Sequence, residues 1–242
     1  MIDTIFRLTL RSLLNRRRSL LMLLLALSPV LIALLVRVAG RPADPVRLEL
    51  NLLDGMVVRT VLPLVALVLG TGAMGSEMED GTAVYLLTKP IPRWMITVAK
   101  LIAAGGLTAA LVAPAAMVTG LIVAGDQGDG AGIAIAYAAA TVAGSFMYAG
   151  VFLAVSLATG RALVLGLCYT LIWEGLVAGL FAGSRAFSIR EYTVGIAGIL
   201  HPERIRPQLD PVTTIVGTVG VLVVAFALTT RWLAGYQIRT AD

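Results

Sequence analysis

The chain has 242 residues, of which 58% are hydrophobic and 14% charged, and its mean hydropathy is +0.91. Soluble domains average about 45–50% apolar and about 25% charged residues, so composition excludes both a water-soluble globule and a disordered chain. The net charge of +5 comes with one cysteine, Cys168, and one histidine, His201, which leaves no intrachain disulfide and no metal site built from several cysteines or histidines.

The first 18 residues read as an amphipathic helix. Ile2, Ile5, Phe6, Leu10, Leu13 and Leu14 recur near helical spacing, with Arg7 and Arg11 interleaved. Such a segment is expected to lie in the membrane interface and lead into a retained span rather than be cleaved as a signal peptide. Six apolar segments follow, at Ser19–Val36, Val57–Gly75, Met95–Ala124, Ala131–Ala158, Ala162–Gly183 and Val212–Thr230. A helix needs about 20 apolar residues to cross the hydrocarbon. None of the six alternates like a barrel strand, and open sheet edges cannot be satisfied in lipid. The expected fold is an all-α membrane protein of six transmembrane helices in a single transmembrane domain over residues 1–242.

Arg16, Arg17 and Arg18 abut the first span and place the N-terminus in the cytoplasm by the positive-inside rule. Lys89, Arg93, Lys100, Arg161, Arg231 and Arg239 then share that side, and six spans return the C-terminus to it. The basic balance therefore reads as topology and not as nucleic-acid binding. The segments Arg37–Met56 and Ser184–Pro211 become the long outer connections. Within the second, Tyr192–Leu200 is apolar but too short to cross, and is expected to re-enter or lie on the membrane.

The connection between spans two and three, residues 76–94, carries the most distinctive pattern. Glu77, Glu79 and Asp80 precede Gly81 and Thr82, then a short apolar run with Tyr85, Leu86 and Leu87, then Lys89-Pro90-Ile91-Pro92-Arg93. Asp80 or Thr82 supplies a helix cap, and Pro90 and Pro92 stop the helix. One reading is an amphipathic turn lying on lipid. The other is a short rigid element docking onto a partner protein.

This pattern resembles the membrane subunit of ABC-2 type transporters, specifically the six-span permeases that pair with a separate ATPase polypeptide. The resemblance implies a coupling helix near Glu79–Leu87 that docks on a nucleotide-binding subunit. It implies two ATPases and two permeases per transporter, the second being another copy or a related chain. It also implies an exporter in the plasma membrane. ATP and magnesium would then sit on the partner, with no cofactor bound here and no catalysis by this chain. In agreement, neither lysine belongs to a Gly-x-x-x-x-Gly-Lys-Ser/Thr loop. A self-contained carrier or channel is the alternative, but such proteins show inverted repeats and broken spans with polar midplane residues. An intramembrane enzyme would need clustered reactive groups.

Other features are weaker. Gly70-Thr71-Gly72-Ala73-Met74-Gly75 matches a dinucleotide fingerprint but closes an apolar span, so close helix contact explains it better. Gly175, Gly179 and Gly183, and likewise Ala136, Ala140 and Gly144, recur every fourth residue and read as packing faces, within the subunit or between subunits. Glu174 is the acid well inside a span. It is a candidate substrate contact, switch or structural partner, with Arg59 the expected counter-charge. Pro29, Pro63 and Pro114 mark kinks, and His201, in His-Pro-Glu, reads as exposed scaffold.

Overall fold

A computed structural model of the chain describes residues 2–13, 16–40, 44–79, 92–125, 130–177 and 182–235. The described residues are helical, with turns and short extended links and no strand. The α-helices are α1 (Ile2–Leu13), α2 (Arg16–Ala39), α3 (Pro45–Leu50), α4 (Leu62–Glu79), α5 (Arg93–Ala124), α6 (Gly130–Ala158), α7 (Ala162–Cys168), α8 (Ile189–Leu200) and α9 (Pro211–Gly235). Two π-helical stretches, Asn51–Val61 and Tyr169–Val177, join α3 to α4 and continue α7, and a 3₁₀ turn covers Ala182–Phe187.

Five helical segments are long and apolar enough to cross a membrane: Ser19–Ala39, Pro45–Met74, Arg93–Ala124, Gly130–Ala158 and Pro211–Gly235. The expected fifth span, Ala162–Gly183, differs. Its described part is α7 followed by the π stretch, residues 178–181 lie outside the described residues, and Ala182–Phe187 has the tighter 3₁₀ winding. The α-helical start of the second span also differs. Helical structure begins at Pro45, twelve residues before the expected Val57. Asp44 caps that start, its carboxylate accepting from the Arg47 N–H at 3.0 Å, and Pro45 occupies the first turn, where its missing N–H costs nothing.

The hairpin of α5 and α6 forms the centre, with α4, α8 and α9 against α6 and α1 and α2 against α5. Tyr137, Tyr148, Met147, Phe152 and Leu153 of α6 are buried in that centre. Packing is tightest at small residues, as expected where lipid supplies no hydrophobic drive between helices. A Cβ at Gly144 would stand 2.7 Å from Thr193 Oγ1 and 2.8 Å from Leu62 Cδ2, and one at Gly70 would stand 2.9 Å from Phe152 Cβ. With Ala136 and Ala140 also buried, the Ala136–Gly144 face packs inside the chain.

On α2 the buried residues Met22, Ala26, Pro29 and Ala33 follow helical spacing, whereas Leu20, Leu24, Leu31 and Leu35 are exposed. Pro29 gives up one intrahelical bond to the Leu25 carbonyl, and Ser28 Oγ donates to that same oxygen at 2.7 Å. Buried threonines do likewise, Thr108 and Thr119 each donating one turn back within α5. Gly125 ends α5 with φ of +58°, a conformation that suits glycine.

Candidate functional site

Charged and polar side chains from four elements meet where the two π-helical stretches approach α8 and α6. In the second stretch, the buried Glu174 carboxylate gathers its donors. Tyr148 of α6 donates its hydroxyl to Oε2, and Tyr169 donates to Oε1 at 3.0 Å. The backbone N–H groups of Ile189 and Arg190, the first residues of α8, donate to Oε1 at 2.9 and 3.4 Å. Glu174 therefore closes the N-terminus of α8, where unpaired N–H groups and the helix dipole favour an anion. Ser188 adds the ordinary cap, its Oγ accepting from the Glu191 N–H at 3.3 Å. Tyr148 and Tyr169 are held in place by Phe152, which stacks on the first and meets the second edge-on.

The expected Glu174–Arg59 pair does not form. Arg59, in the first π stretch, donates through Nη2 to the Gly175 carbonyl at 2.6 Å, one residue beyond the acid. The reason is geometric. The α-helical register is lost over Tyr169–Val177, which leaves a backbone oxygen for Arg59, while the Glu174 carboxylate turns toward the two tyrosines and α8. Asp54, also in the first π stretch, holds Arg190 of α8 by both guanidinium Nη2 contacts, at 2.8 Å to Oδ1 and 2.6 Å to Oδ2. Arg190 Nη1 donates to Glu191 Oε1 at 2.7 Å. Burial works against the Arg190 charge, but the Asp54 and Glu191 carboxylates outweigh it and hold its pKa above the ordinary value. Burial pushes Glu191 up, while Arg190 draws it down.

The three links close a ring: Asp54–Arg190 joins the first π stretch to α8, Arg59–Gly175 joins the two π stretches, and Glu174 joins the second to α8. π-helical segments are uncommon and concentrate at functional places. The ring thus ties α8 to both π-helical stretches. Beside it an apolar groove of about 500 Å³ runs between α6 and α9, lined among others by Val151, Phe187, Tyr192, Val221 and Trp232.

Of the other sequence-identified residues, Gly175 is not at a close helix contact, since a Cβ there would meet only the Thr170 carbonyl at 3.7 Å. Gly179 lies outside the described residues, and Gly183 falls in the 3₁₀ turn. Glu77 and Glu79 belong to the last turn of α4. Asp80, Gly81, Thr82, Tyr85, Leu86, Leu87 and Pro90 lie outside the described residues. Pro92 and Arg93 open α5, with Pro92 at the cap position. Lys100, counted on the cytoplasmic side, is buried, its Nζ donating to the Ala73 carbonyl at 2.5 Å and tying α5 to α4 just inside the connection. His201 is half-buried rather than exposed, its ring lying over Gly132. Asp54, Tyr148, Tyr169 and Arg190 were not singled out from sequence. Two signals were there to be read: Ser188-Ile-Arg-Glu191, a capping pattern, and the five-residue interval between Asp54 and Arg59.

This architecture defines a multi-pass, all-helical membrane protein with a buried polar ring among its spans. The family model described as ABC-2 family transporter protein matches residues 14–189, most of the chain. The protein belongs to that family of ABC transporter permeases. Among curated proteins no relative matches it.

Proposed function

We propose that this chain is the permease subunit of an ABC exporter, forming the translocation pathway and driven by ATP hydrolysis on a separate subunit. The observation that carries this reading is the family match, which runs through the whole connection between α4 and α5. In this account residues 76–94 face the cytoplasm, and the segment from Glu79 to Leu87 docks on the ATPase. The Lys100–Ala73 bond supports that role, because it ties together the two helices that would receive the push. The ATPase subunit holds ATP and magnesium. A second permease, another copy or a related chain, completes the pathway. Gly175, Gly179 and Gly183 are the candidate contact with it.

The same account places six crossings in the plasma membrane, the fifth including α7 and the second π stretch, with both termini cytoplasmic. α1 lies in the interface. Glu174 acts by holding α8 to the spans, so Glu174→Gln is expected to alter transport or coupled hydrolysis while assembly persists. Unchanged transport by the assembled variant would remove Glu174 from the mechanism. The coupling itself is tested by co-purification with the ATPase subunit, followed by assay of hydrolysis with Asp80→Lys or Leu87→Asp. The expected result is loss of partner binding or of transport-linked hydrolysis. Wild-type behaviour in both variants would overturn the assignment of the connection.

A further inference from the structure

Glu49 takes no part in the ring around Glu174, yet it is fully buried. It lies near the end of α3, against the corner where α5 gives way to α6. Among the described residues neither carboxyl oxygen has a hydrogen-bond partner. Two glycines form the walls of its slot: a Cβ at Gly120 would stand 3.0 Å from Oε1, and a Cβ at Gly130 would stand 3.1 Å from Oε2. The space is thus reserved for the carboxyl group by residues that bring no donor side chain to it.

An ionised carboxylate left unpaired in such a place is strongly unfavourable, so something must neutralise it. Among the described residues the nearby cations are committed elsewhere, and Arg41 lies outside them. Arg190 of α8 is engaged by Asp54 and Glu191, Arg59 by the Gly175 carbonyl, and Arg37 of α2 by the Ile122 carbonyl at 2.8 Å. Arg47, on α3 itself, is exposed. The remaining titratable groups on this end of the packed elements are Asp44, Asp54, Tyr137, Glu191 and His201; Arg93 and Lys100 lie toward the other end of α5, Tyr148 is further along α6, and Asp126 and Asp129 lie outside the described residues. A hard metal cation demands several oxygen ligands. Among the described residues no group of three or more His, Cys, Asp or Glu is placed to hold one.

We infer that Glu49 is a proton-binding site: its carboxyl group is a neutral acid, seated between Gly120 and Gly130, in the folded bundle. This stands apart from how the transporter is powered, and failure of either reading leaves the other intact. The test is infrared difference spectroscopy on the full chain in lipid at neutral pH, wild type against Glu49→Gln. The expected difference is loss of a protonated-carboxyl C=O band. Loss of ionised-carboxylate bands instead would overturn the inference. Thermal stability supplies a second reading that does not depend on one variant. Glu49→Gln and Glu49→Met, both uncharged and near in size, should assemble with unfolding midpoints close to wild type. Failure of both to assemble would show that the charge is needed and would equally overturn it.

Discussion

Replacing Glu174 removes the acceptor that four donors share: the hydroxyls of Tyr148 and Tyr169 and the N–H groups of Ile189 and Arg190. A buried donor left unpaired costs about 1–3 kcal/mol. Interhelical hydrogen bonds in membrane proteins measure lower, averaging about 0.6 kcal/mol with a maximum near 1.7. Glu174→Gln keeps one oxygen able to accept from α8 but turns its amide donor toward a tyrosine, so it loses the equivalent of one to two bonds, about 1–2 kcal/mol. Glu174→Leu leaves all four donors unserved and should cost about 2–5 kcal/mol, several times one such bond. For a domain of this size 1 kcal/mol shifts the unfolding midpoint by roughly 2–4 °C. The Gln variant should therefore fall by roughly 2–8 °C and the Leu variant further, measured by thermal unfolding of the purified protein in detergent. Tyr148→Phe, which removes a single donor, should sit nearest wild type. A Leu variant as stable as wild type, or more stable than the Gln variant, would refute the idea that Glu174 holds α8 to the spans.

Three further outcomes follow from the same geometry. Asp54→Asn and Arg190→Gln should each destabilise, and the double variant by less than the sum of the two, with a coupling of about 0.5–3 kcal/mol in a double-mutant cycle; simple additivity would mean that the ion pair is incidental. Gly144→Ala forces a methyl onto Thr193 and Leu62 and should cost about 1–3 kcal/mol in unfolding experiments, whereas Gly106→Ala, with open space around it, should be neutral or gain up to about 1 kcal/mol. Asp210 caps α9, and the Thr213 hydroxyl and N–H, at 2.6 and 3.0 Å, hold its pKa below the ordinary 3.8. Because the folded value is the lower one, this stabilisation is present above the unfolded value and fades as pH falls through the folded one. Asp210→Ala should thus lower stability at neutral pH, and the gap from wild type should close under strong acid.

Where a span is an uninterrupted apolar run, its limits were legible. α5, α6 and the start of α9 begin within two residues of the expected positions. The misplaced start of the second span has a clear origin. Glu49, Asp54 and Arg59 make Arg37–Met56 and its sequel look like an aqueous loop, yet Asp54 is answered by Arg190 and Arg59 by the Gly175 carbonyl, 136 and 116 residues away in sequence. A local reading of charge cannot see such partners. Glu174 was recognisable because an acid inside an apolar run stands out, but its donors were not, since two of them are backbone N–H groups at the start of α8, which residue type does not reveal. The π-helical winding of Tyr169–Val177 also carries no composition of its own, and it decides both the Arg59 contact and the fate of the expected Gly175–Gly183 face. The connection between α4 and α5 was read from its residue pattern, which the family match includes.

The proposed coupling can be tested most directly by where that connection lies and what covers it. Because Cys168 is the sole native cysteine, Cys168→Ser gives a clean background for Thr82→Cys or Leu87→Cys. A membrane-impermeant maleimide should label these positions in inside-out vesicles and not in intact cells, and the ATPase subunit, when bound, should protect them. Labelling from outside, or equal labelling with and without the bound ATPase, would contradict a permease driven through this segment from the cytoplasm.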